Sequence, residues 1–121
     1  MAKKILIAED EAHMRRFLGV ILKKTPHQVI TVENGKEAVD QSVTERPDLV
    51  VMDLNMPVMN GLEATEALKK DPSTADIPVI MLTGDGHYLT QESAEKLGVT
   101  AFLTKPFSPT KLIQQIDQVL N

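Results

Sequence analysis

Five short apolar runs, each followed by a segment of helical spacing, constrain the fold of this chain more than any other feature. The runs are nearly continuous in Ile, Val and Leu, which is typical of strands covered on both faces of a parallel sheet. Strands that alternate with helices build a doubly wound α/β sheet with right-handed crossovers. We therefore predict strands over five ranges: Lys4–Ala8, Gln28–Val32, Leu49–Asp53, Pro78–Thr83 and Ala101–Thr104.

The helices between these runs are marked by signals at their first turns. Asn34 with Glu37 and Asn60 with Glu63 resemble capping boxes, in which a polar side chain and an acidic side chain three residues later bond to each other's backbone. Ser108-Pro109 offers an N-cap followed by a proline at the first helical position. These signals predict the starts of the second, third and fifth helices.

The fourth predicted helix, about Leu89 to Leu97, carries few apolar residues. We expect either a weakly docked, partner-facing element or an ordinary short surface helix. Arg15-Arg16 is expected on a solvated face of the first helix. Five strands and five helices of this length suit the flavodoxin-like strand order 2-1-3-4-5, in which ligands bind in the crevice between the first and third strands.

Length and composition narrow the class of protein. A chain of 121 residues is close to the commonest domain size, so we expect one domain over residues 1–121 and no output domain. The absence of cysteine excludes a disulfide framework, a thiol nucleophile and a Cys-based zinc site. A net charge of −4 without a block of like charges disfavours nucleic-acid binding. No run is long enough to insert into a membrane or to act as a signal peptide, so we expect a cytoplasmic protein.

Chemically useful side chains follow four of the five predicted strands. Glu9 and Asp10 follow the first strand, Asp53 ends the third, Thr83 ends the fourth and Lys105 comes shortly after the fifth. Because the carboxyl ends of parallel strands meet at one edge of the sheet, we expect these groups to lie close together. Three carboxylates, a hydroxyl and an ammonium at one edge indicate a site for a metal ion and a phosphoryl group.

The chemistry of this set favours a hard cation. Carboxylates crowded together raise each other's pKa and are best stabilised by a cation among them. All-oxygen ligands suit Mg²⁺, which keeps several waters and takes few protein carboxylates. Asp53 could be a ligand, a nucleophile that forms an aspartyl phosphate, or both. Lys105 would act as a point charge on a phosphoryl oxygen and the Thr83 hydroxyl would donate to another.

Four motifs, in this order and each at a strand end, make the chain recognisable. They are IAED at Ile7–Asp10, DLNMPVMNG at Asp53–Gly61, LTGD at Leu82–Asp85 and FLTKPF at Phe102–Phe107. Over its whole length the chain resembles the receiver domain of two-component response regulators, in particular the single-domain, CheY-like kind. The resemblance implies a switch that is not an enzyme beyond catalysing its own phosphorylation and dephosphorylation.

The resemblance also implies roles for individual residues. Asp53 is expected to accept a phosphoryl group from the phosphohistidine of a histidine kinase. Asp10, Asp53 and the backbone carbonyl of Asn55 are expected to bind Mg²⁺ or Mn²⁺. Glu9, longer than the aspartate often found at its position, is expected to contact the ion through water. Asn55 and Asp85 match positions that tune the hydrolysis of the aspartyl phosphate.

Switching is expected to follow from the same resemblance. Thr83 and Lys105 sense the phosphoryl group, and a cis Lys105-Pro106 peptide aims the lysine inward. Phe102 turns inward when Thr83 moves, and Gly84 leaves room beside the phosphoryl group. The face formed by the fourth helix, fifth strand and fifth helix would then change its affinity for a downstream target protein. The upstream partner would be a sensor histidine kinase or a histidine phosphotransfer protein, and the chain would be a monomer or a weak dimer on activation.

Three other functions compete with this interpretation. A degenerate receiver would dock partners without being phosphorylated. An aspartate-nucleophile phosphohydrolase of the haloacid-dehalogenase type needs a second acid two residues after the nucleophile, where this chain has Asn55. Flavin or nucleotide binding on the same fold is disfavoured because the loop after the first strand is acidic and lacks glycine.

Overall fold

The computed structural model describes residues 2–84 and 95–121. Within these residues the elements alternate as β1 Lys4–Ala8, α1 Ala12–Lys23, β2 Gln28–Val32, α2 Gly35–Glu45, β3 Leu49–Asp53, α3 Gly61–Lys70, β4 Val79–Thr83, β5 Ala101–Thr104 and α4 Pro109–Leu120. Most of the fourth predicted helix, about residues 89–97, falls outside the described residues, which include only 95–97 of it. The helix labelled α4 is therefore the fifth predicted helix.

The five strands form one parallel sheet in the order β2-β1-β3-β4-β5, which confirms the predicted doubly wound fold. Four of the strands have the predicted bounds, and the fourth begins one residue later, at Val79. Pro78 has no N–H to donate and contributes only its carbonyl, which accepts from the Val50 N–H at 3.0 Å. The strand order changes direction between β1 and β3, where the predicted crevice lies.

Each face of the sheet is covered by helices, so alternate residues of a strand enter different cores. Val50 and Met52 of β3 join the core beneath α2 and α3, whereas Leu49 and Val51 join the core beneath α1 and α4. Every residue of β3 and β4 is buried. This double coverage explains why the strand sequences are continuously apolar rather than alternating.

The helix starts follow the predicted signals, with one difference. Asn60 and Glu63 form a complete capping box at α3, with bonds of 2.8 and 3.0 Å. Asn34 caps α2 by accepting from the Glu37 N–H at 2.8 Å, but the Glu37 carboxylate accepts from the Glu33 N–H rather than from that of Asn34. The reciprocal box predicted at Asn34 is therefore wrong in its second bond, because the acidic side chain satisfies the donor one residue further back.

Candidate functional site

Three carboxylates meet at the carboxyl ends of β1 and β3. One oxygen from each of Glu9, Asp10 and Asp53 lies within 4.8 Å of the others. Glu9 is fully buried and Asp53 is 6% exposed, whereas Asp10 is exposed at the rim. The crevice at the change of strand order thus contains the acidic side chains that the sequence predicts there.

Lys105 is the positively charged residue that contacts the carboxylates in the described part of the chain. Its Nζ lies 3.0 Å from Asp53 Oδ1 and 3.1 Å from Glu9 Oε1. The Lys105 N–H donates to the Thr83 carbonyl at 2.7 Å, and the following Lys105-Pro106 peptide is cis, as predicted. The loop after β5 therefore carries the ammonium across β4 to the two buried carboxylates.

Burial and neighbouring charges shift the pKa values of two groups in the site, Glu9 and Lys105. Burial, followed by repulsion from Asp53, raises the pKa of Glu9 from 4.5 to about 7, and the hydrogen bond from Lys105 offsets only part of this rise. Burial alone would lower the pKa of Lys105, but its hydrogen bonds to Asp53 and then to Glu9 raise the pKa above its ordinary value. The positive charge of Lys105 therefore does not fully compensate the negative charge of the carboxylates.

Thr83 and Phe102 lie on the neighbouring strands β4 and β5. Thr83 is buried at the end of β4, and its hydroxyl donates to the Leu103 carbonyl at 3.4 Å, which is long for such a bond. Phe102 is half-buried, pairs with Met81 in the strand register and packs against the core beneath α2 and α3. A weakly bonded hydroxyl and a half-buried ring are groups that can change position at modest cost.

The loop after β3 shapes the outer wall of the site. An open cleft beside Asp10 is lined by Asn55, Met56, Pro57 and Asn60, so the structure places the predicted carbonyl ligand Asn55 next to the acidic cluster. A Cβ at position 61 would lie 2.5 Å from the Asp53 carbonyl oxygen, so only glycine lets α3 start this close to the end of β3.

Sequence reasoning missed the backbone strain in this loop. Val58 has φ +70°, and the Met59 N–H donates to the Pro57 carbonyl at 2.7 Å, which closes a three-residue γ-turn around it. A β-branched residue rarely adopts this conformation. No glycine or asparagine marks the turn, so the sequence carries no signal for it.

Sequence reasoning also misplaced Arg15, which was expected on a solvated face. One guanidinium nitrogen donates to the Glu9 carbonyl at 2.9 Å and to the Asp10 carbonyl at 3.2 Å, and the other lies 3.3 Å from a Glu33 carboxylate oxygen. Helical side chains lean toward the N-terminus of their helix, so an arginine in the first turns reaches the preceding loop. This direction of helical side chains is the signal from which the contact of Arg15 with the loop could have been predicted. Arg16 is exposed, as expected.

Two further predicted features lie at or beyond the edge of the described residues. Asp85, expected to tune hydrolysis, lies outside the described residues. At Gly84 an added Cβ would meet no heavy atom within 4 Å in the described part of the chain.

The chain matches the response regulator receiver domain family over residues 5–117. It is 36% identical over 120 residues to the phosphate regulon transcriptional regulatory protein PhoB of Pseudomonas aeruginosa, which covers 99% of this chain and 52% of that protein. The chain thus spans about half the length of the curated relatives it matches.

Two solved structures have the same fold. The chemotaxis response regulator CheY4 of Vibrio cholerae superposes with a TM-score of 0.90 and 29% identity, over 99% of this chain and 100% of that chain. A receiver domain of a sensor histidine kinase from Pseudomonas aeruginosa PAO1, with a magnesium ion coordinated in its active site cleft, gives a TM-score of 0.89 and 25% identity over 99% of this chain and 98% of that chain. Among the described residues, no helix combines the length and apolar character needed to cross a membrane.

Proposed function

This chain belongs to the response regulator receiver domain family, and we propose that it accepts a phosphoryl group on Asp53 and thereby switches its affinity for a partner protein. The donor would be a sensor histidine kinase or a histidine phosphotransfer protein, in the cytoplasm. The observation that carries the proposal is the setting of Asp53, at the end of a central strand, within reach of two further carboxylates and bonded to Lys105.

The donor set of the site fits a magnesium ion. Glu9, Asp10 and Asp53 offer carboxylate oxygens within 4.8 Å of one another, and among the described residues one ammonium, that of Lys105, pairs with them. Hard oxygen donors of this kind hold Mg²⁺ or Mn²⁺, with the Asn55 carbonyl as a further ligand. When bound, the ion would neutralise negative charge on the carboxylates and on the entering phosphoryl group.

Transfer would be a displacement at phosphorus. A carboxylate oxygen of Asp53 attacks the phosphorus of the donor phosphohistidine, an O–P bond forms, and the P–N bond breaks with its electron pair left on the histidine nitrogen. Lys105, which is bonded to Asp53 Oδ1 at 3.0 Å, would pair with a phosphoryl oxygen after transfer. Lys105 would thereby position the phosphoryl group beside Asp53, and positioning is most of what phosphoryl transfer requires.

Switching would begin at Thr83. A phosphoryl oxygen is a stronger acceptor than the Leu103 carbonyl to which the hydroxyl donates at 3.4 Å, so the hydroxyl would move toward Asp53. Its movement would let the half-buried Phe102 turn further inward. The reshaped surface would be the face that includes β5 and α4, on which a target protein binds in only one of the two states.

The test is the intact mass of the protein after incubation with acetyl phosphate, with Mg²⁺ or with a chelator. We expect one added phosphoryl group that requires both Mg²⁺ and Asp53. Asp53→Asn tests the acceptor, and Asp40→Asn, a surface change at a Lys36 ion pair, is the matched control. Full modification of Asp53→Asn would overturn the proposal, and an unmodified, folded wild type that its kinase also fails to label would favour a docking module.

A further inference from the structure

Arg15 is hydrogen-bonded to the loop between β1 and α1, which contains Glu9 and Asp10. Its guanidinium donates to the carbonyls of two successive residues, Glu9 and Asp10, at 2.9 and 3.2 Å, and pairs with Glu33 at 3.3 Å. A side chain of α1 is thereby bonded to the β1–α1 loop and to the β2–α2 loop at once. We propose that Arg15 is a positioning residue that holds Asp10 and Glu9 in the geometry needed to bind a divalent cation.

Other described contacts hold the two residues that flank Asp10: Lys105 bonds to the Glu9 carboxylate at 3.1 Å, and the Glu11 carboxylate accepts from the first N–H groups of α1 at 2.8 and 2.9 Å. The Glu9 N–H is held by the Val32 carbonyl at 3.1 Å, and the Glu11 N–H donates to Glu9 Oε2 at 3.3 Å. Asp10 is exposed, and no described contact other than that of Arg15 involves its backbone carbonyl. The orientation of the exposed ligand therefore depends on the guanidinium more than on packing.

Charge and geometry predict opposite effects when Arg15 is removed. A positive charge close to a cation site repels the cation, so electrostatics alone predicts tighter binding after Arg15→Ala. Loss of the two carbonyl bonds frees the loop and predicts weaker binding, since groups that orient metal ligands typically contribute 10–100-fold to affinity. Weaker cation binding by Arg15→Ala therefore indicates a positioning role, whereas tighter binding indicates only the effect of a nearby charge.

The next residue supplies a matched control. Arg16 has the same charge and the same helix, but it is exposed and makes no hydrogen bond or ion pair with any residue in the described part of the chain. Arg15→Lys keeps the charge and removes the planar fork that reaches the carbonyls and Glu33 together. The three variants separate charge from geometry.

The experiment is Mn²⁺ binding to the full chain, followed by the electron paramagnetic resonance of free Mn²⁺. We expect Arg15→Ala to bind about 10-fold or more weakly, Arg15→Lys to bind several-fold more weakly, and Arg16→Ala to bind as tightly as the wild type or slightly more tightly. Hydrogen exchange of the Glu9 and Glu11 amides in metal-free protein should be faster in Arg15→Ala and unchanged in Arg16→Ala.

The inference rests on the proposed function for the identity of the cation, and the two fail in different ways. A wild type that binds no Mn²⁺ overturns the metal site together with the role of Arg15. Binding by the wild type with unchanged or tighter binding by Arg15→Ala overturns the positioning role alone and leaves the phosphoacceptor intact. Equal weakening in Arg15→Ala and Arg16→Ala also overturns it, because the effect would then not depend on the carbonyl bonds that Arg15 makes and Arg16 lacks.

Discussion

Neutralising Glu9 should stabilise the metal-free protein at neutral and alkaline pH but not in acid. The Glu9 carboxylate is fully buried beside Asp53, and these two features raise its pKa from 4.5 to about 7 despite the bond from Lys105. The folded state therefore holds a proton between these pH values that the unfolded state has released. Stability must fall as pH rises through this window, because there the folded state binds more protons than the unfolded state.

The size of the effect follows from the same pKa. A rise from 4.5 to about 7 corresponds to a cost of about 3 kcal/mol once Glu9 is ionised, at about 1.36 kcal/mol per pKa unit. Glu9→Gln keeps the shape of the protonated acid and cannot ionise. Its advantage over the wild type should be near zero at pH 4.5 and should approach about 3 kcal/mol above pH 7.

The assay is urea unfolding in chelator at several pH values from 5 to 8, followed by far-ultraviolet circular dichroism because the chain has no tryptophan. Equal slopes of free energy against urea are required for the comparison. Glu66→Gln is the control, since the hydrogen bond from Lys70 lowers the pKa of Glu66 and places its titration below this range. An advantage of Glu9→Gln that stays constant from pH 5 to 8 would contradict this prediction, because it would show that the pKa of Glu9 is not raised in the folded protein.

Three further substitutions test the packing in the same unfolding assay. Gly19→Ala should stabilise the protein by about 0.5–1 kcal/mol, because Gly19 lies inside α1 and an added Cβ meets no described atom within 4 Å; a loss of stability would mean that the space is filled. Val58→Gly should raise the free energy of unfolding by about 1 kcal/mol, because the strain of φ +70° at valine exceeds the entropic cost of glycine. An unchanged free energy of unfolding would mean that the turn is unstrained. Ser42→Ala should raise the free energy of unfolding by about 1 kcal/mol, because the buried hydroxyl has no hydrogen-bond partner among the described residues. A lower free energy of unfolding would reveal a partner such as a bound water.

The sheet and the position of the site were predictable because both follow from strands covered on two faces. Continuous apolar runs in the sequence become β1 and β3–β5 almost residue for residue, and the groups that follow them meet at the change of strand order. The contacts of Arg15 and the turn at Val58 were not predictable in this way. Both depend on where a side chain or a loop lies relative to a neighbouring element, which apolar periodicity does not record.

The pKa of Glu9 shows that the position of an acidic residue in the sequence does not determine its protonation state. Glu9 and Asp10 are adjacent in sequence, yet the end of β1 buries Glu9 between its neighbouring strands, whereas Asp10 remains exposed. The three carboxylates and the Lys105 ammonium carry a formal charge of −2, and the pKa of Glu9 is raised because its carboxylate has lost its water and also faces Asp53. One divalent cation would balance that charge, so its binding should oppose protonation of Glu9 and should weaken as pH falls below about 7. The buried carboxylate of Glu9 thus couples metal binding to pH.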